Sequence, residues 1–151
     1  MNKVTISDTV PTDQNGYIHL ECPTCHENFM LSAEALNDEN ITEIWCPGCG
    51  LIHDNYYPQE VQDHLHKKLD DYVTEQLNEV FTDIAKTISS KNIKFKQSKK
   101  LKLNNPNNLQ PYYGNLVEKN YSCCNVTAYI EPNRNLAGGY CPLCGGMIDG
   151  N

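Results

Sequence analysis

Eight cysteines fall into two sets of four. The first set reads Cys22-Pro23-Thr24-Cys25 and Cys46-Pro47-Gly48-Cys49, two C-x-x-C clasps with twenty residues between them. Four soft sulfurs supplied by two tight turns at that spacing are the donor set of a tetrahedral zinc site. The second set, Cys123-Cys124 and Cys141-Pro142-Leu143-Cys144, repeats the plan with sixteen residues between its halves. Its first half has no spacer. Adjacent side chains in an extended strand point to opposite faces, so Cys123 and Cys124 share one metal only if the chain turns there. Two alternatives stay open for this half: both thiols ligate through a distorted turn, or one ligates and a histidine or water completes the set.

The cysteines also bound the architecture. Modules of about 30 residues bury too little apolar surface to offset chain entropy and need a metal or a disulfide. The segment Met1-Asn2-Lys3-Val4-Thr5 has no apolar run of signal-peptide length, and no stretch reaches the ~18 apolar residues of a membrane span. A cytoplasmic, reducing setting and no membrane partner are therefore expected, and there C-x-x-C pairs bind metal more often than they oxidise. The expected cofactor is zinc, two ions per chain. Local chemistry agrees: proline after the first cysteine presets φ, and glycine after the second tolerates a left-handed backbone. Cys46-Pro47-Gly48-Cys49-Gly50 and Cys141-Pro142-Leu143-Cys144-Gly145 follow this in full, whereas Cys22-Pro23-Thr24-Cys25-His26 places His26 where glycine is usual.

These residues resemble the zinc-ribbon group, with its rubredoxin-like knuckles and transcription-factor-type ribbons, over roughly residues 17 to 54 and 120 to 150. The resemblance implies knuckles on β-hairpins that clamp a structural zinc. It implies no activity, because ribbons serve in nucleic-acid binding, in protein docking and as structural clips. The stretches Cys46-Pro-Gly-Cys-Gly-Leu-Ile-His-Asp-Asn and Cys141-Pro-Leu-Cys-Gly-Gly-Met-Ile-Asp-Gly-Asn match beyond their cysteines and read as an internal duplication. The layout also resembles small bacterial double-ribbon proteins of unassigned role. The composition, eleven lysines to one arginine with abundant asparagine, fits an A·T-rich bacterial or phage genome.

Along the chain, residues 1–16 read as a loose tail and 17–56 as a first ribbon. Its strands are expected at Tyr17 to Glu21, Asn28 to Leu31 and Ile41 to Trp45, with a short helical piece at Ala33 to Leu36. Residues 57–90 read as one long helix, with Pro58 and Glu60 as start signals. Its apolar stripe runs Val61, Leu65, Leu69, Tyr72, Val73, Leu77, Val80, Phe81, Ile84 and Ile88, over about 30 residues or 45 Å. Residues 91–118 read as a basic, Asn-rich linker and 119–151 as a second ribbon. The expected fold class is thus a small metal-stabilised α+β protein, two β-rich zinc ribbons joined by one long α-helix and a basic linker.

Small ribbons expose few apolar side chains, so the stripe of the helix is expected to pack on another protein or on a second copy in a homo-oligomer; the competing expectation is that the ribbons themselves cap it. Charge changes after the helix. Between Asp83 and Glu118 there is no acidic residue but seven lysines, while the remainder carries all 19 acidic residues against five basic ones. Asn92 to Lys96 and Lys100 to Leu103 alternate like short strands of a hairpin around Gln97-Ser98. Lys91, Lys94, Phe95, Lys96, Lys99, Lys100 and Lys102 are the candidate nucleic-acid contacts, by phosphate neutralisation and stacking. Against them, eight thiolates (−8) and two zinc ions (+4) take the formal charge from −7 to −11, an acidic body that repels phosphate elsewhere.

Catalytic readings find little support. Neither Cys22-Pro23-Thr24-Cys25 nor Cys46-Pro47-Gly48-Cys49 sits at a helix N-terminus in a βαβ context, as a redox site requires. His64 and His66 do not share a helix face as metalloprotease ligands do, and His26-Glu27 lacks the deaminase pattern. His19 and His53 read as strand-surface residues. No Walker motif, nucleophile elbow or dinucleotide fingerprint is present, so no small-molecule substrate is expected. The sequence points to a non-enzymatic protein-protein docking or adaptor module with two structural zinc ions, and as the alternative to a nucleic-acid-binding or transcription-regulatory ribbon protein using Lys91 to Lys102.

Overall fold

A computed structural model describes residues 4–89, 93–94 and 99–150. The chain divides into two units: Met1–Asp8 with Glu60–Asn108, and Thr9–Gln59 with Leu109–Asn151. The second unit holds every cysteine.

In that unit strands β1 (Tyr17–Glu21) and β2 (Asn28–Ser32) form one hairpin, and β3 (Val117–Tyr121) and β4 (Val126–Ile130) form another. The hairpins join through antiparallel pairing of β2 with β4, Phe29 opposite Ile130 and Met30 opposite Tyr129, into one sheet of order β1-β2-β4-β3. Strand registers place Ile18, Leu20, Phe29, Leu31, Ala128, Ile130 and Tyr121 on one face, because side chains alternate with a period of two. All seven are buried, and Cys22, Cys46, Tyr56 and Cys141 join them in a single core. The opposite face is partly covered: Tyr17 and Tyr129 meet edge to face at 4.8 Å, and Tyr112 stacks on His19 at 3.8 Å.

Each hairpin is followed by a short helix. Helix α1 (Ala33–Leu36) starts where the Ser32 hydroxyl accepts from the Ala35 N–H at 3.1 Å, an N-cap that satisfies an orphan donor. In the other unit α2 spans Gln59–Ile88, directly after Pro58, a residue suited to a helix start because it has no N–H to lose. Helix α3 (Pro132–Ala137), with its proline at the start, follows β4, and strands β5 (Gly139–Tyr140) and β6 (Met147–Ile148) flank the last knuckle.

The sequence expectation of a strand at Ile41 to Trp45 is corrected. Only the isolated bridge Trp45–Ile52 forms there, because the knuckle closes within a few residues through Cys46 N–H to Leu51 O at 2.9 Å, and the Ile44 carbonyl takes up the Tyr56 hydroxyl at 2.8 Å. The Tyr56 hydroxyl lies equally close to the Leu51 carbonyl, so one buried phenol ties both legs of the knuckle. The hairpin expected around Gln97-Ser98 lies outside the described residues.

In the α2 unit the chain returns along the helix. The Leu101 N–H donates to Asn78 Oδ1 at 2.9 Å, and the Asn104 and Asn105 N–H groups donate to the two oxygens of Asp71 at 2.6 and 2.8 Å. Near the start of the helix, Asp8 Oδ2 lies 2.6 Å from Nε2 of the buried His64 and 2.8 Å from the Lys68 ammonium.

Candidate metal centres

Four tight turns present the cysteines, and they share one backbone device. The residue after the second cysteine of each turn has a positive φ: His26 at 61°, Gly50 at 69°, Asn125 at 48° and Gly145 at 69°. This left-handed step folds the chain back so that the N–H of residues 26, 50 and 145 reaches the carbonyl of Cys22, Cys46 and Cys141 at 2.8–2.9 Å. It also aims N–H groups at sulfur: Gly48 and Cys49 donate to Cys46 Sγ at 3.3 and 3.5 Å. His26 thus adopts the conformation glycine would take, and asparagine, the non-glycine most tolerant of it, serves at 125.

The turns bring the cysteines into two groups, Cys22, Cys25, Cys46 and Cys49, and Cys123, Cys124, Cys141 and Cys144, with the sulfurs of each group within 4.8 Å of one another. Cys22–Cys49 and Cys123–Cys144 are separated by 3.7 Å and Cys25–Cys46 by 3.5 Å. A disulfide needs about 2.05 Å, whereas thiolates at ~2.3 Å around a tetrahedral zinc stand ~3.8 Å apart. The donor sets therefore fit a tetrahedral metal ion. Both consist of cysteine alone, so a bound ion would be closed to a fifth partner. Burial raises the Cys46 thiol and takes Cys141 up to about 12; burial acts on Cys22 too, but hydrogen bonds from the N–H groups of Cys25 and Thr24 and from the thiols of Cys46 and Cys25 together outweigh it and bring that thiol to about 7. A dication is what makes several thiolates compatible with such burial.

Both cysteines of the adjacent pair reach the second group, so each of them could supply a ligand there. The β1–β2 hairpin brackets six residues between the paired Glu21 and Asn28, and the β3–β4 hairpin brackets four between Tyr121 and Val126. Counting back from the left-handed residue, Cys124 takes the place of Cys25. The place of Cys22 falls to Tyr121, and the remaining sulfur of the group belongs to Cys123, the second residue of the turn. The two groups also differ in cover. Cys123 and Cys144 are exposed and Cys124 half-buried, whereas only Cys25 is exposed in the first group.

What the sequence did not reveal is how the groups are locked together. The Trp45 N–H donates to the Pro142 carbonyl and the Tyr140 N–H to the Pro47 carbonyl, each at 2.9 Å. Around these reciprocal bonds the Tyr140 ring lies on Gly50 and the Trp45 ring on Gly145, where a Cβ would sit 2.9 and 2.5 Å from ring atoms. Trp45 and Tyr140 occupy the same position before Cys46 and Cys141, a signal visible only once the halves are aligned. Across the same seam Arg134 forks onto Glu27 at 3.0 and 3.2 Å, a bidentate pair that lysine could not make.

The other candidates lie elsewhere. Lys94, Lys99, Lys100 and Lys102 are exposed, and Lys91, Phe95 and Lys96 lie outside the described residues. On α2, Val61 is buried, Leu65 and Tyr72 are half-buried, and Leu69, Leu77, Val80, Ile84 and Ile88 are exposed. His19 is engaged by Asn28, and His53 by Thr24 at 3.2 Å. Among the described residues no helix is long and apolar enough to cross a membrane.

Comparison with protein-family models, curated proteins and solved structures finds no match to this chain. Its chemistry stands on the two cysteine groups and on the exposed helix.

Proposed function

We propose that the protein is a non-enzymatic docking module of the zinc-ribbon type, in which two zinc ions are structural and the apolar face of α2 is the docking surface. The observation that carries this reading is the row Leu69, Val73, Leu77, Val80, Phe81, Ile84 and Ile88, each 40–52 % exposed along one helix. Large aliphatic and aromatic side chains held open in series mark an interaction surface. The closed, all-cysteine groups support a structural rather than catalytic role for the metal, and abundant free thiols suit a reducing cytoplasm.

The test uses the zinc-loaded full-length protein purified with its complexes, as wild type and as Leu77→Glu, at low and high salt. Apolar docking predicts an association that survives salt and is lost in the variant. Association that collapses as salt rises, persists in the variant and carries nucleic acid would instead assign the work to the lysines of residues 91–102.

A further inference from the structure

Resting on the docking reading above, we propose that the surface covering α2 is the same helix face of a second copy, run antiparallel across a two-fold axis. The line of the seam is Leu69, Val73, Leu77, Val80, Ile84 and Ile88, all open, at intervals of four, four, three, four and four residues. That series reads the same from either end, with its midpoint between Leu77 and Val80. An isologous contact needs a surface complementary to itself after a half-turn. Here the half-turn sets Leu69 level with Ile88, Val73 with Ile84, and Leu77 with Val80 of the second copy. The four-four-three unit is eleven residues in three turns, ~3.67 per turn, close enough to the 3.6 of a straight helix to hold the seam on one face. It extends over about 28 Å of axis.

The described part of the return segment is anchored away from this face. Its anchors Asp71 and Asn78 lie, at ~100° per residue, roughly opposite the centre of the stripe. The symmetric spacing sets the direction: antiparallel copies bring Asp70 and Asp83, at the edges of the stripe, level with Thr87 and Thr74 of the second copy. Six half-open side chains per copy, with Phe81 at the margin, suit an interface near the low end of the range, on the order of 1,000 Å². The dimer is therefore reversible and concentration-dependent.

Sedimentation equilibrium of the zinc-loaded full chain across a wide concentration range tests this, with zinc content and helicity confirming that each variant is folded. The expected result is a reversible species of twice the 17.1 kDa chain mass. Val73→Glu and Ile84→Lys singly should each weaken it about tenfold or more, because each buries a charge in an apolar seam. The double variant, which places the new acid opposite the new base only when the copies are antiparallel, should recover most of that loss. A double variant no better than the singles would overturn the antiparallel register. A wild type that stays monomeric while Leu77→Glu releases a different bound protein would overturn the second copy and leave docking standing. Dimerisation indifferent to all of these substitutions would overturn both.

Discussion

His26 shows how closely single positions are tied to the metal centres. It holds a φ of 61°, which costs a β-substituted residue about 1–2 kcal/mol, and its contact with Glu21 is largely exposed and so contributes little. His26→Val should therefore lower stability by about 1 kcal/mol or more, while His26→Gly should leave it unchanged or slightly raised; chemical denaturation of the zinc-loaded protein measures both. The C-x-x-C spacing made the need for such a turn legible in the sequence, and glycine marked it at positions 50 and 145. At 123–124 the spacing rule lost its hold, because a hairpin loop shortened by two residues moves a sulfur donor without changing the number of cysteines. Local pattern records which residues are present, and loop length decides where they point.

Among the elements, α2 was the most legible, since a stripe at intervals of three and four residues admits one regular solution. Strand β1 alternates, whereas β2 buries Phe29, Met30 and Leu31 in a row. Ile41 to Trp45 shows the limit of alternation as a rule: its apolar residues serve a knuckle leg whose hydrogen bonds go to Tyr56 and to the opposite half. The return segment along α2 was illegible because it is held by polar groups. The N–H of Asn104, with that of Asn105, keeps the Asp71 carboxyl below its ordinary value of 3.8. A depressed carboxyl contributes stability that is fully present above 3.8 and lost as pH falls through the lower folded value. Asp71→Asn should therefore raise the hydrogen-exchange rates of the Asn104 and Asn105 amides at neutral pH, and acid titration of the wild type should release the same amides only below the ordinary carboxylate range. Unchanged exchange in the variant would show that the segment is held by other contacts.

For the molecule as a whole, the pairing of β2 with β4 and the exchange of backbone bonds between the knuckles matter most. Two strands about a hundred residues apart, joined through two register pairs, leave no periodic trace, which is why the sequence suggested two separate ribbons while the structure joins both hairpins in one four-stranded sheet over one core. A shared core predicts that the two candidate metal centres are interdependent. The reciprocal Trp45 and Tyr140 bonds, at about 1 kcal/mol each, predict that losing one centre weakens the other by roughly thirtyfold. Cys144→Ser, which removes an exposed ligand, should thus lower zinc affinity at Cys22, Cys25, Cys46 and Cys49, and should alter the fluorescence of Trp45, the single tryptophan. An unaffected first site would mean that the knuckles touch without coupling.

In the proposed state all eight cysteines ligate two structural zinc ions. Native mass spectrometry of the full-length protein purified without added metal tests it most directly. Two zinc ions per chain, with eight cysteines alkylatable only after chelation and unfolding, is the predicted result; fewer than two, iron in place of zinc, or a mass lowered by disulfide formation would contradict it.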